Sequence, residues 1–361
     1  MPHNRIIIKV GTKVLTDKEG KLDTAIIAQI VEQIVTLRNK GCEAVLVTSG
    51  AVGSGRALFA GVKRDSKEES IADKQVYAAV GQVALMNTYS EYLSKHNLQS
   101  AQILVTKEDF RDRVHYQNMK ACFENVLERQ CIPIVNENDV VAVKELIFTD
   151  NDELTSLIAL QLDADAVFIL TSVDGVIAGD FNDPQAKVIP EIRISDLRSA
   201  EKFVTKEKSS GGRGGMTTKF AMARKLVGAG IAVYMLNGKS KNGILDIFDG
   251  KQLGTHFIPE KKISSRKRHL AHGDSLARGS IVVNDCVEEE IFKEGKVMSL
   301  LPIGIISASG EFQKGDMVKI VTQKGRVIGC GISKMDMDKV SSCAGVKGGK
   351  AVVHYDDLFV Y

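Results

Sequence analysis

The sequence predicts an α/β chain: a three-layer αβα sandwich with a mainly parallel sheet, followed by a small C-terminal β-barrel-like domain. Three observations carry this. Short apolar runs alternate with longer helical patterns from residue 5 to about 257. Dense polar clusters stand directly after several of those runs, where open parallel sheets place their ligands. Near residue 259 the pattern gives way to a basic stretch and then to short β runs punctuated by glycine. The expected boundaries are 1–258 for the first domain, 259–275 for a basic linker and 276–361 for the second domain.

Each element follows from its residues. Arg5–Val10 (RIIIKV) is a buried strand. Apolar residues at Ile26, Ile27, Ile30, Val31, Ile34 and Leu37 keep helical spacing over 24–40, and Gly41 is a fitting stop. Strands follow at 44–48, 101–105, 132–135, 166–170 and 231–235, with helices expected over 70–96, 112–130 and from the 211–219 loop to about Gly228. In the second domain, strands are expected near 279–283, 304–308, 315–321 and 326–332.

Composition narrows the function classes. The 361 residues are 44% hydrophobic and 26% charged, ordinary values for a folded globular protein. Lys+Arg 48 against Asp+Glu 45 leaves a net charge of +3, too balanced for a chain that binds nucleic acid or membrane over its whole surface. The uncharged stretch Gln75–Ser90 carries polar side chains and is too short to cross a bilayer comfortably. The N-terminus enters a strand run at once, with no apolar signal region. Six cysteines form no CxxC pair and seven histidines form no HExxH group, so reduced thiols, a cytoplasmic location and no protein-held metal are expected.

Four clusters follow strands. Lys9 sits inside an otherwise apolar strand, so it either pairs with a carboxylate or an anion, or snorkels from an edge. Thr48-Ser-Gly-Ala-Val-Gly-Ser-Gly55 is a glycine-rich turn that either shapes the chain or cradles an anion, and it lacks the GxGxxG spacing. Asn136-Glu-Asn-Asp139 and Thr149-Asp-Asn-Asp-Glu153 could bind an ammonium group or orient lysines, or serve as turn and cap residues. Gly211–Lys219 opens a helix with a lysine in its first turn. It is either a surface loop or a phosphate cradle without the Walker A form.

Together these supply two lysines from distant segments, two glycine-rich turns and a carboxylate–amide group. No serine–histidine pair or candidate base is evident. Phosphoryl transfer to an acceptor that is already ionised fits this set, because a carboxylate with a pKa of about 4 needs no deprotonation at pH 7. Cations on both sides of the transferring group would then offset the repulsion between anions.

The motifs KVGTKVL, VTSGAVGSG, IPIVNEND, TDNDELTSLIA and GGMTTK, in this order, resemble the glutamate 5-kinases of the amino acid kinase family. The β-rich tail resembles a PUA domain. The resemblance implies the amino acid kinase fold and ATP-dependent phosphorylation of the L-glutamate γ-carboxylate, the first step of L-proline biosynthesis. It implies catalytic roles for Lys9, Lys219 and Asp152, with Asp152 holding the lysines. Ser49, Asp139, Asn151 and Asp150 would bind glutamate. ATP would meet Lys9, Thr171, Ser172, Arg213, Gly214, Gly215, Met216, Thr217, Thr218 and Lys219, with Mg²⁺ held mainly by the nucleotide. The family often has Thr-Asp where Thr171-Ser172 stands, Thr at Arg213 and Ser at Lys13. The resemblance also implies a homo-oligomer, feedback inhibition by L-proline and glutamyl phosphate reductase as a partner. RNA binding by the PUA domain has no support in the residues themselves. An aspartate kinase, a UMP kinase or an RNA-binding protein with an inert kinase fold are the other readings.

Overall fold

A computed structural model describes residues 3–60, 69–111, 113–141, 151–178, 187–200, 215–259, 270, 277–291 and 298–360. The described residues form two compact units.

The first unit is built on an eight-stranded sheet. Its strands are β1 (Arg5–Val10), β2 (Glu43–Val47), β3 (Ser100–Val105), β4 (Ile132–Glu137), β5 (Ala166–Thr171), β8 (Glu191–Arg193), β9 (Ala232–Asn237) and β10 (Thr255–Ile258). β6 (Ile177–Ala178) and β7 (Lys187–Val188) form a separate two-stranded ribbon. The order is β3-β4-β2-β1-β5-β9-β10-β8, and every pairing is parallel except β9 with β10. β1 is central, and Ile6, Ile7 and Ile8 are all fully buried although successive side chains point to opposite faces. Both faces are therefore covered, as the unbroken Ile run predicts. Each such side chain stabilises the fold by about 1.5–3 kcal/mol through burial.

The expected helices form as α2 (Thr24–Asn39), α4 (Ile71–Ser94), α6 (Arg113–Glu128) and α9 (Met216–Gly228). Asp23 caps α2 by accepting from the Ile26 amide, and Ser70 with Asp73 forms a capping box at the start of α4. Short turns α1 (Thr12–Leu15), α5 (Lys107–Arg111), α8 (Leu197–Ala200) and α10 (Gly243–Phe248) complete the layers with α7 (Asn151–Gln161).

One segment departs from the sequence reading. The glycine-rich stretch after β2 is not only a turn: after Gly50, at φ +96°, it continues as helix α3 (Ala51–Leu58). The glycines inside it serve a close helix crossing. A Cβ on Gly55 would stand 1.9 Å from the Tyr77 carbonyl oxygen, and one on Gly81 would stand 1.8 Å from that of Ala51. α3 and α4 meet backbone to backbone, which holds the Ser49 loop against α4.

The second unit has a five-stranded sheet in the order β12-β11-β13-β14-β15 and its own core, including Ile281, Val318, Ile320 and Ile328. Its elements are β11 (Gly279–Val283), α11 (Asp285–Ile291), β12 (Ile305–Gly310), β13 (Met317–Thr322), β14 (Val327–Ser333), α12 (Met337–Cys343) and β15 (Val353–Val360). The final strand was not anticipated. Most of the basic linker expected over 259–275 lies outside the described residues.

Candidate active site

Sheet order sets the layout. β1 lies between β2, which continues to β4, and β5, which continues to β9. The carboxyl end of β1 is therefore the point where the chain's path over the sheet reverses, and ligands collect at such points. Lys9 stands there, paired in register with Val47 on one side and Ile169 on the other.

Lys9 is 5% exposed, and its Nζ lies 2.6 Å from Asp152 Oδ1. Lys219 Nζ lies 3.0 Å from the other oxygen, Asp152 Oδ2. Asp152 is the second residue of α7, where the positive end of the helix favours an anion. Thr218 Oγ1 reaches the same Oδ2 at 3.3 Å and donates to the Gly215 carbonyl. Burial opposes ionisation of Asp152, but the ammonium groups of Lys9 and Lys219 outweigh it and hold the carboxyl below its ordinary value. Lys9 is thus no snorkelling edge residue.

Two ammonium groups share one carboxylate, so the triad carries a net positive charge in a place largely closed to water. Each ammonium has three N–H donors, and neither has a second protein partner among the described residues. Such a donor set fits a phosphoryl group, which brings both the negative charge and the acceptors.

On the β2–β4 side the groups are amides and hydroxyls. Asn151 Nδ2 faces the Thr48 carbonyl at 2.6 Å, Ser49 Oγ at 2.8 Å and Asn136 Oδ1 at 3.1 Å. Its Oδ1 is left without a donor among the described residues, so this amide offers an acceptor to a ligand. Asp139 lies in the turn after β4, at the same edge of the sheet. Lys107 and Glu153, both mostly buried, pair at 2.8 Å beside Asp152 in the chain.

On the β5–β9 side, Thr171 ends β5 and its carbonyl accepts from the Gly238 amide at 2.8 Å. Ser172 follows and is exposed. Gly215, Met216, Thr217 and Thr218 lead into or begin α9. The structure thus joins Lys9, Lys219, Asp152 and Thr218 by direct contact, and Ser49 with Asn151 by another. Thr171 and Ser172 share their edge of the sheet. Asp150, Arg213 and Gly214 lie outside the described residues. Gln82, whose Oε1 accepts from Asn136 Nδ2 at 2.9 Å, adjoins these groups and was not singled out from the sequence. Neutral amides give no charge signal in a sequence, and only the NEND motif marked Asn136.

An amino acid kinase family model matches residues 4–237, and a PUA domain model matches residues 279–354. A glutamate 5-kinase of Chlorobaculum tepidum is 42% identical over 99% of this chain and 98% of its own length. One of Bacteroides thetaiotaomicron is 41% identical over 99% and 98%. The chain belongs to the glutamate 5-kinase branch of the amino acid kinase family. Among solved structures, a carbamate kinase from Giardia lamblia bound to AMP-PNP superposes with a TM-score of 0.51 at 17% identity, over 71% of this chain and 98% of that one. That likeness shows the amino acid kinase fold, with the mainly parallel sheet described above. Membership of this kinase family carries ATP use with it.

Proposed function

We propose that this chain transfers the γ-phosphoryl group of ATP to the γ-carboxylate of L-glutamate, giving ADP and L-glutamyl 5-phosphate, and so opens L-proline biosynthesis. The observation that carries this reading is the Lys9–Asp152–Lys219 triad at the switch point of the sheet. One flank offers amide and hydroxyl groups, suited to an amino acid. The other offers a helix N-terminus, suited to a triphosphate.

The chemistry needs no general base. The γ-carboxylate is ionised at pH 7, and one of its oxygens attacks the γ-phosphorus while the bond to the ADP oxygen breaks. Electrostatic repulsion between the two anions is the obstacle. Lys9 and Lys219, held apart by one carboxylate, place positive charge on either side of the transferring group. Asp152 keeps both lysines in place and adds no proton step. Asn151 Oδ1, with Asp139 near the same edge, takes the substrate's α-ammonium. Mg²⁺, carried mainly by the triphosphate, supplies further charge neutralisation when bound.

An acyl phosphate is labile, which fits a consuming partner such as glutamyl phosphate reductase. L-Proline inhibition, a homo-oligomeric state and a cytoplasmic location belong to the same reading. No helix among the described residues is long and apolar enough to cross a membrane.

ATP turnover measured side by side with L-glutamate, L-aspartate and UMP tests the reading. L-Glutamate is expected to stimulate turnover, L-aspartate much less and UMP not at all. Equal or greater activity with UMP or L-aspartate would sink it.

A further inference from the structure

Helix α4 presents a polar stripe to the carboxyl ends of β2 and β4. Gln75 Nε2 donates to the Val140 carbonyl at 2.9 Å, Gln82 meets Asn136, and the Tyr89 hydroxyl lies 3.0 Å from Thr48 Oγ1. The three are seven residues apart, so they lie on one side of the helix. The middle one differs from its neighbours. Gln82 is 8% exposed, yet its Nε2 is buried with no hydrogen-bond partner among the described residues. A buried amide N–H₂ without an acceptor is costly, and such exceptions call for an explanation.

The orientation of that amide is fixed by its surroundings. The Glu137 backbone N–H, which can only donate, points at Asn136 Oδ1 at 2.9 Å. The Thr48 backbone carbonyl, which can only accept, faces Asn151 Nδ2. These two backbone groups determine which end of each asparagine is oxygen and which nitrogen. Asn136 must then turn its Nδ2 toward Gln82, and Gln82 must answer with Oε1. Its Nε2 is left as a donor, with nothing among the described residues to receive it.

We propose that Gln82 is a substrate-binding residue whose Nε2 donates to the α-carboxylate of the amino acid acceptor. This rests on the glutamate reading above and adds to it. The γ-carboxylate belongs between Lys9 and Lys219, and the α-ammonium belongs on Asn151 Oδ1. The remaining acceptor of the substrate is its α-carboxylate, attached to the carbon that bears the ammonium. Gln82 reaches that neighbourhood because Asn136 links the two amides, and because the Gly81 and Gly55 contacts press α4 onto the Ser49 loop.

The test compares L-glutamate with its α-amide, which keeps the γ-carboxylate and so leaves the transfer chemistry unchanged. In Gln82→Met, KM for L-glutamate should rise roughly tenfold to a hundredfold, the scale of one hydrogen bond to a charged group, with kcat changed by less than about threefold. KM for ATP should stay put, and the preference for L-glutamate over the α-amide should fall by the same factor as KM rises. Gln82→Glu keeps the oxygen that Asn136 needs and replaces only the donor. It should show the same loss of preference, and it carries the test if the methionine variant does not fold. A folded variant with unchanged KM and unchanged preference would overturn the proposal while leaving the kinase reading intact. Lack of any glutamate-dependent turnover by the wild-type chain would instead overturn the kinase reading.

Discussion

Lys219→Ala lowers kcat by about two to three orders of magnitude, the usual consequence of losing one group that stabilises transition-state charge. KM for either substrate changes little, because the lysine acts most strongly on charge that develops during transfer. The fold survives the substitution. Asp152 keeps its 2.6 Å contact with Lys9, so the variant leaves a neutral pair and not an isolated buried charge. Lys9→Ala should lose a similar factor. Arginine should not restore Lys219, since a planar fork cannot replace a compact ammonium beside Asp152. Steady-state kinetics with circular dichroism on each variant checks this. A folded variant that retains most of its kcat would place its lysine outside the reacting centre.

Asp152→Asn strikes stability as well as activity. It leaves two mostly buried ammonium groups side by side without their counter-charge. Breaking a buried pair in this way costs about 3–5 kcal/mol, or roughly 4–7 °C in melting temperature for a chain of 361 residues. The pH dependence follows from the direction of the Asp152 shift. Burial raises its pKa, the two ammonium groups lower it further, and the folded value ends below the unfolded value of about 3.9. Its stabilisation is therefore complete above the unfolded value and is lost as pH falls through the folded one. Thermal melts should show the full gap between wild type and variant at pH 7, and a narrowing gap below about pH 4. ATP should restore part of the variant's stability, because the triphosphate supplies the missing anion. A variant melting within a degree of wild type at pH 7 would show that the triad is not the buried charge centre described here.

Much of the sheet was legible because its strands are buried on both faces and so read as plain apolar runs. The Ile6–Ile8 run is the clearest case. α3 was not legible as a helix, since Gly53 and Gly55 look like turn residues until the Tyr77 backbone of α4 is found against Gly55. β15 was hidden by Asp356 and Asp357. Asp357 is buried, with its charge met by Lys334 at 2.6 Å, a partner set by the fold and not by spacing. In the site, Lys9, Lys219 and the acidic cluster were conspicuous as charges in unexpected places. That Asp152 is the carboxylate shared by both lysines came from the family resemblance and not from residue spacing. Gln82 was silent for the opposite reason: an uncharged side chain in an uncharged stretch of helix marks nothing until its amide is found beside Asn136.

The central claim is that a γ-carboxylate oxygen of glutamate becomes bonded to the transferred phosphorus. L-Glutamate carrying ¹⁸O in both γ-carboxylate oxygens tests it directly. The acyl phosphate is trapped with hydroxylamine, which attacks the carbonyl carbon and expels phosphate together with the bridging oxygen. The phosphate released should carry one ¹⁸O atom for each γ-glutamyl hydroxamate formed. Phosphate without label, released at the rate of ATP consumption, would mean that water or another group is the acceptor and would contradict the account.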